Sequence, residues 1–506
     1  MPGTIENNNA WVSTNRYNIY RVFNSLLNVS FQQSEPKQLL FRFFGKLKLG
    51  VKIDMTIAIV LVLLVLGSLI FHYLSPWYFT PIASNWKGMD DTIELTFWIT
   101  GLAFVAINLF VAYCIVKFRA KVGVRAAYQP ENKKLEWWLI GVTTVGVAAM
   151  LAPGLIIWAN FVNVPADAHL VEAVGQQWHW QYRLPGKDGK LGVVNAKHIN
   201  DGNPFGMDQS DANGRDDILV SSQELHLQIG KPVKILLRSI DVLHNFSVPQ
   251  FRAKMDLVPG MVTYLWLTPT RTGKFDLLCN ELCGVGHFVM RGVIVVEEEA
   301  AYLSWLGDQK TFADNLSKPS GDKTLGKALY ATCATCHGAE AEGNLLLHAP
   351  KLAGQGEWYL QRQLSYFKHG IRGSNERDVF GKVMAPMASL LVDDAAIANV
   401  SAFITSLPDT AVPHTVKGNA SIGKSLFVST CSTCHGQEGQ GVRLMQAPKL
   451  KGMSDWYMAT QLKNFKQGFR GVHAKDDYGP QMALMAAILK DEQAINDLVA
   501  YINVLP

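Results

Sequence analysis

The chain has 506 residues, 48% hydrophobic and 18% charged, with a formal net charge of +5 and a mean hydropathy of +0.08. The length suits roughly three domains, and a charged fraction below the ~25% usual for soluble proteins implies that apolar residues are pooled in a few segments. A disordered chain, a small disulfide scaffold and a single compact domain are excluded, and so weak a positive charge gives no reason to expect nucleic acid as a partner.

Residues 1–53 form a tail with an Asn-rich start, carrying Arg16, Arg21, Lys37, Arg42, Lys46, Lys48 and Lys52. Three stretches, 55–86, 95–116 and 137–166, then contain no Asp, Glu, Lys or Arg. About 20 helical residues cross a ~30 Å hydrocarbon layer, so transmembrane helices are predicted at 55–75, 95–117 and 137–161 within the segment 54–166. A signal peptide is the rival for the first, but its leader would be unusually long and no A-x-A site follows Ile70-Phe71-His72. The first loop carries Lys87 beside Asp90, Asp91 and Glu94, whereas the second carries Lys117, Arg119, Lys121, Arg125, Lys133 and Lys134. Basic flanks face the cytoplasm. The tail is therefore expected inside and everything after residue 166 outside.

Beyond the membrane, Val233–Arg238, Val262–Leu267 and Val289–Val296 alternate or are β-branched and read as strands, with Pro259-Gly260 as a turn. They predict an all-β domain over 167–300 with its chemistry on end loops. That chemistry sits in Cys279-Asn-Glu281-Leu-Cys283-Gly-Val-Gly-His287-Phe-Val-Met290. Zinc is the plainer reading, but zinc pairs are usually C-x-x-C and rarely need a Met. Thiolate, imidazole and thioether together select copper. Two thiolates can bridge two coppers, each of which then needs one imidazole. His287 is in the loop, and Asp241-Val-Leu-His244 supplies the second. Cys114, inside the second helix, reads as a small buried apolar residue.

Residues 90–300 resemble subunit II of the haem–copper cytochrome c oxidases, which carries the dinuclear copper centre CuA in a cupredoxin-like domain. The resemblance implies as ligands His244, Cys279, Cys283, His287, Met290 and the backbone carbonyl of Glu281, whose carboxylate would also hold a Mg2+ shared with subunit I. It implies that Trp178, in Gln177-Trp-His-Trp-Gln-Tyr182, stands exposed above the copper and receives electrons, while His179 faces the surface. Without the resemblance, Trp178 and Trp180 are two residues on one face of a strand. His226 reads as strand filler. Glu136, before the third helix, resembles a glutamate at the mouth of a proton channel in subunit I, although a carboxylate is favoured at any helix N-terminus.

Cys333-Ala-Thr-Cys336-His337 and Cys431-Ser-Thr-Cys434-His435 both match C-x-x-C-H, in which two thiols bond covalently to haem and the His reaches the iron. The offset of 98 residues is an internal repeat: 14 of 25 positions are identical between 349–373 and 447–471, including Trp358/Trp456, Phe367/Phe465 and Arg372/Arg470. Two small all-α cytochrome c domains are predicted, at 321–408 and 418–506, with linkers at 301–320 and 409–417. Met384 and Met482 lie 47 residues after their histidines, and Met387 and Met485 repeat equally well. The units resemble two-haem tandem cytochromes c, which favours Met384 and Met482 as sixth ligands.

The expected whole is a membrane-anchored electron-input subunit of an oxygen-reducing, proton-translocating oxidase in a bacterial cytoplasmic (inner) membrane. It would hold two coppers and two haems c, take electrons from a soluble c-type cytochrome or similar donor, and pass them to subunit I, with subunit III and lipid as neighbours. The chain has no transmembrane His cluster, so the oxygen chemistry belongs to a partner. The rivals are a membrane-anchored relay not bound to an oxidase and a nitrous oxide reductase-type protein, though the 13 histidines form no second copper cluster.

Overall fold

The computed structural model describes residues 53–75, 80–119, 123–125, 127–128, 130–200, 202–220, 222–316 and 321–506. The predicted tail, apart from its last residue, lies outside the described residues. The chain divides into two units, one comprising residues up to Pro76 and Ile99–Lys133, the other Trp77–Trp98 and Lys134–Pro506.

The first unit holds α1 (Ile53–Leu74) and most of α2 (Lys87–Lys117); α3 (Lys133–Val162) belongs to the second. All three helices are long and apolar enough to cross a membrane. Leu63, Leu102, Val145 and Trp158 are among many exposed apolar side chains on them, as expected of helices whose surroundings are lipid or other spans. Helices α2 and α3 start earlier than the apolar runs predicted, at Lys87 and Lys133. Asp90 and Glu136 occupy their first turns, where a carboxylate is stabilised by the helix dipole. Charge ends the apolar span without ending the helix.

In the second unit, Trp86 lies between Phe161 and Trp266, with ring centroids 5.3 and 4.8 Å away. It donates its indole N–H to the Trp266 carbonyl at 2.9 Å. Arg252 grips Asp90 through Nε at 2.6 Å and Nη2 at 2.9 Å. These contacts tie a β-sandwich to the adjoining ends of α2 and α3.

The sandwich comprises β1 (His169–Gln176), β2 (His179–Leu184), β3 (Ile218–Val220), β4 (Glu224–Gln228), β5 (Val233–Ser239), β6 (His244–Val248), β7 (Ala253–Leu257), β8 (Thr263–Leu267), β9 (Gly273–Cys279), β10 (Arg291–Glu297) and the short β11 (Lys310–Thr311). One sheet runs β11-β3-β2-β1-β5-β8, the other β4-β10-β9-β6-β7. Along β5, Val233, Ile235 and Leu237 are buried and the residues between them half-buried, the period-two pattern that the sequence displays. Trp180, Tyr182, Leu225, Leu237, Phe246, Leu257 and Ile294 fill the core. A buried ion cluster reinforces the first sheet. Arg183 reaches Glu172 at 2.6 Å and Asp217 at 2.8 Å, and Glu172 also receives Arg238 at 2.5 Å.

The predicted linker 301–320 is largely structured instead. It continues α4 (Glu299–Gly307), supplies β11 and forms α5 (Phe312–Leu316). Trp305 stacks on His226 with centroids 4.4 Å apart, and Phe312 is buried against Val174, Phe205 and Met207. Apolar anchors hold the segment down.

Two helical domains follow. The first has α6 (Lys323–His337), α7 (Glu357–Lys368), α8 (Val379–Ser389) and α9 (Asp394–Thr405). The second has α10 (Ala420–Leu426), a π turn over Phe427–Cys431, α11 (Ser432–His435), α12 (Asp455–Lys466), α13 (Gly479–Ala487) and α14 (Glu492–Ile502). Asp393 and Asp491, one repeat apart, cap α9 and α14 by accepting from the amides of Ala396 and Ala494. The segment 409–417 has no regular structure, yet Asp409 binds Lys351 from one domain and Lys449 from the other.

The domains meet about a local two-fold. Arg372 donates to the Tyr457 hydroxyl at 2.6 Å and to Gln461 at 3.0 Å. Arg470, its repeat partner, donates to the Tyr359 hydroxyl at 3.0 Å and to Gln363 at 2.8 Å.

Candidate metal and haem sites

Strand pairing builds the metal cluster. Antiparallel β6 and β9 bring Phe246 opposite Cys279, so His244, at the start of β6, meets the loop that leaves β9. Cys279 and Cys283 Sγ are 3.8 Å apart. His244 Nδ1 lies 3.9 Å from Cys279 Sγ and His287 Nδ1 3.4 Å from Cys283 Sγ. Met290 Sδ is 3.9 Å from Cys283 Sγ, and the Glu281 carbonyl oxygen is 3.3 Å from Cys279 Sγ. His244, both cysteines and Met290 are buried. The six positions named by the resemblance therefore converge.

Asp241, not singled out from the sequence, orients the cluster. It receives the amides of Gln177 and Val242, each at 2.6 Å, and the His244 ring at Nε2 at 2.8 Å. Burial opposes its ionisation, but these hydrogen bonds keep its carboxyl below the usual range. Burial likewise opposes a charge on His244, yet Asp241 and Cys279 raise its pKa. With Nε2–H committed to Asp241, Nδ1 faces the thiols, the outer-shell arrangement that orients a metal-ligating imidazole. The hydrogen bond from the Cys283 thiol is the largest influence lowering the Cys279 pKa, while the same contact pushes Cys283 up. A thiolate on one cysteine thus disfavours a second on its neighbour, and a cation held between them would offset that repulsion. Soft sulfur and imidazole donors of this kind fit copper.

Trp178 differs from expectation: it is 3% exposed. Its indole N–H donates to the Cys283 carbonyl at 3.0 Å, and Gln177 Nε2 donates to the same oxygen at 2.7 Å. The ring lies on Gly284 and Gly286. A Cβ at Gly286 would come within 2.3 Å of the indole, and Gly284 adopts φ +114, a backbone conformation open chiefly to glycine. The spacing Cys-Gly-Val-Gly-His is the footprint of that ring. His179 is also not at the surface: it is fully buried, its ring meeting Tyr478 edge-on at 5.7 Å, and burial lowers its pKa to about 4. Both residues are covered by the second cytochrome domain, which the alternation of one strand could not reveal. His226 is structural as expected, paired to Glu297 at 2.9 Å. Glu136 is exposed in the first turn of α3, apart from this cluster.

In each cytochrome domain the C-x-x-C-H motif closes a helix. His337 Nδ1 donates to the Pro350 carbonyl and His435 Nδ1 to the Pro448 carbonyl, both at 2.7 Å. Burial favours the neutral imidazole in both. Nε2 is left for iron, which gives a purpose to Pro350 and Pro448 in the repeated Ala349-Pro-Lys-Leu352 and Ala447-Pro-Lys-Leu450. Cys431, Cys434, His435, Met482 and Met485 line a cavity bounded by Leu462 and Phe465, suited in its donors and its apolar walls to a haem. Met482 packs with its own domain's core, whereas Met485 packs against the core of the sandwich. The cavity extends to Trp178 and Val289.

Comparison with known proteins bears on this arrangement. The family model for the periplasmic domain of cytochrome c oxidase subunit II matches residues 169–298, and that for cytochrome c matches 324–408 and 420–506. The alternative cytochrome c oxidase subunit 2 of Bradyrhizobium diazoefficiens is 60% identical over 259 residues, 51% of this chain and 94% of the relative. The chain belongs to the cytochrome c oxidase subunit II family. Solved structures with local likeness include the periplasmic domain of subunit II of the cytochrome oxidase of Bradyrhizobium japonicum (28% identity, 29% of this chain, 95% of that one, TM-score 0.21). Another is cytochrome c4 of Pseudomonas stutzeri (29% identity, 37% and 100%, TM-score 0.30).

This subunit II is thus part of an oxidoreductase complex, anchored in a membrane with periplasmic domains and associated with an oxidase catalytic subunit. Its subunit II domain implies copper and its two further domains imply haem c. Together they relay electrons into the oxidase.

Proposed function

We propose that each chain holds two coppers through His244, Cys279, the Glu281 carbonyl, Cys283, His287 and Met290, and two haems c. The haem residues are Cys333, Cys336, His337 and Met384 in one domain, Cys431, Cys434, His435 and Met482 in the other. When bound, these groups would supply one-electron carriers. The protein's share is positional. Asp241 sets the His244 tautomer, the Pro350 and Pro448 carbonyls orient the two proximal imidazoles, and the buried sandwich core keeps water from the thiolates. Trp178, one hydrogen bond from Cys283, is assigned as the residue through which the copper site receives electrons.

The three helices are assigned to a bacterial cytoplasmic membrane, with 1–53 cytoplasmic and 167–506 outside. Subunits I and III are the proposed partners, a soluble c-type cytochrome or similar carrier the donor, and oxygen reduction coupled to proton pumping the activity of the complex. Glu281 is assigned a Mg2+ at the subunit I boundary and Glu136 the mouth of a proton path. The observation that carries this reading is the convergence of two buried thiols, two Nδ1 atoms and a thioether at one end of the sandwich. Metal and pyridine–haem analysis of the purified full chain is expected to give two coppers and two covalent haems. Cys279→Ser is expected to abolish the shared-electron copper spectrum and leave both haems. One copper per chain, or a copper spectrum unchanged in the variant, overturns the assignment.

A further inference from the structure

The 98-residue repeat allows the outer faces of the two cytochrome domains to be compared position by position. Asp477, Gln481 and Met485, before and along α13, face the sandwich. Gln481 Nε2 donates to the Trp178 carbonyl at 2.7 Å, and Met485 packs against the sandwich core. Next to them the Tyr478 ring meets His179, and Gln176 Nε2 reaches the Leu444 carbonyl at 2.7 Å. One domain of this chain thus sits on the tryptophan assigned above as the copper site's receiver. The repeat-equivalent positions on α8 are Val379, Val383 and Met387, one helix face at i, i+4 and i+8. They are 61%, 64% and 37% exposed. The same face is filled by an intramolecular partner in the second domain and is open, and more apolar, in the first.

We propose that the C-terminal cytochrome domain is a fixed cap over Trp178, and that a soluble redox protein docks instead on the Val379–Val383–Met387 face of the N-terminal cytochrome domain. This makes the N-terminal domain the point of arrival and the C-terminal domain the one adjoining the copper site. The inference rests on the reading of Trp178 and the haem motifs given above. The partner's chemistry follows from the face and its surroundings. Residues 321–408 hold eight Lys or Arg and eight Asp or Glu, so docking has little net charge to steer it. The partner is a one-electron carrier protein with an apolar rim, and its binding depends weakly on ionic strength. The second domain's haem cavity is closed to such a partner, with Trp178 on one side and Tyr359 and Gln363 of the first domain on another.

The test uses the metal-loaded full chain, with a 15N-labelled, near-neutral bacterial monohaem cytochrome c as probe. Hydroxyl-radical footprinting read by mass spectrometry is expected to leave Trp178 protected and to oxidise Met387. Gln481→Arg, which puts a charge into the cap contact, is expected to raise Trp178 oxidation about tenfold. NMR titration of the probe is expected to show saturable binding that Val383→Asp weakens about tenfold, the usual scale for disrupting a central interface residue. Haem spectra of Val383→Asp are expected to match the parent. Free labelling of Trp178 in the parent chain overturns the cap. Absence of probe binding, or binding indifferent to Val383→Asp, overturns the docking face. Copper and haem counts on the same sample separate these failures from a failure of the functional assignment.

Discussion

The two cytochrome domains agree inside and differ outside. Each donates a proximal Nδ1–H to a proline carbonyl at the same 2.7 Å and carries a paired Met384/Met387 or Met482/Met485. Yet α6 runs as a regular helix into its cysteines, while the second copy reaches Cys431 through a π turn. One presents valines where the other presents Asp477 and Gln481. What both copies keep serves the haem, and what differs serves the neighbour. The repeat works as an internal control for assigning roles.

The largest effect expected from that comparison concerns the axial methionine. Met482 lies with the haem domain's own core and Met485 with the sandwich. Met482→Leu is therefore expected to remove the near-infrared sulfur-to-iron band of one haem and lower its potential by on the order of 100 mV or more, because thioether ligation raises potential. Met485→Leu is expected to keep that band. Loss of the band in Met485→Leu would reverse the inner and outer roles.

An intermediate effect is expected where the copies touch. Arg470→Ala strands the Tyr359 hydroxyl and removes one of the two donors to the Gln363 amide oxygen in a part-buried contact, at a cost of about 2–3 kcal/mol. Calorimetry of the full chain should show it as a lowered transition for the paired domains. Arg372→Ala should behave alike, since it spans the mirror contact. The double variant should lose more than the sum, because Gln363 and Gln461 each accept from both arginines and are left without either donor only when both are gone. A strictly additive double variant would show that the local two-fold is not energetically coupled.

Much of this was legible in the sequence because the chemistry is carried by short spacings. The three apolar runs, the cysteine loop and both C-x-x-C-H motifs each fall within one local segment. His244 required joining a strand to a loop 35 residues later, and alternation along Val233–Arg238 was enough to place it near a strand end. What stayed hidden depends on contacts between domains. The burial of Trp178, begun by Gly284 and Gly286, and of His179 is completed by Tyr478, Gln481 and Met485, some 300 residues away, and no local pattern encodes that approach. Residues 301–320 read as a linker because the segment ends in Pro319-Ser320 and its apolar residues, Trp305 and Phe312 among them, form no repeating pattern. Their partners, His226 and Val174, sit on separate strands. Asp241 was passed over because a lone carboxylate in a turn has no signature until its ring partner is seen.

The smallest effect concerns pH and separates the two outer faces once more. Asp477 is half-buried, and its carboxyl is pushed up to about 7 by burial, then by the adjacent Asp476 and by Glu224 of the sandwich, against the pull of Arg362. Its value in the folded chain exceeds the ordinary 3.8. Protonation is thus favoured by folding, and the group costs nothing below pH ~4. The cost grows as pH rises toward 7 and is level beyond it. At about 1.4 kcal/mol per unit, discounted for the solvent that reaches its open side, the loss is about 2 kcal/mol. The melting temperature of the full chain should therefore fall between pH 5 and pH 8, and Asp477→Asn should flatten part of that slope. Val379 occupies the equivalent position in the first domain and ionises at no pH, so Val379→Asn should leave the slope as it is. A slope unchanged by Asp477→Asn would mean that the carboxyl is ionised and solvated throughout, and that the cap is not closed around it.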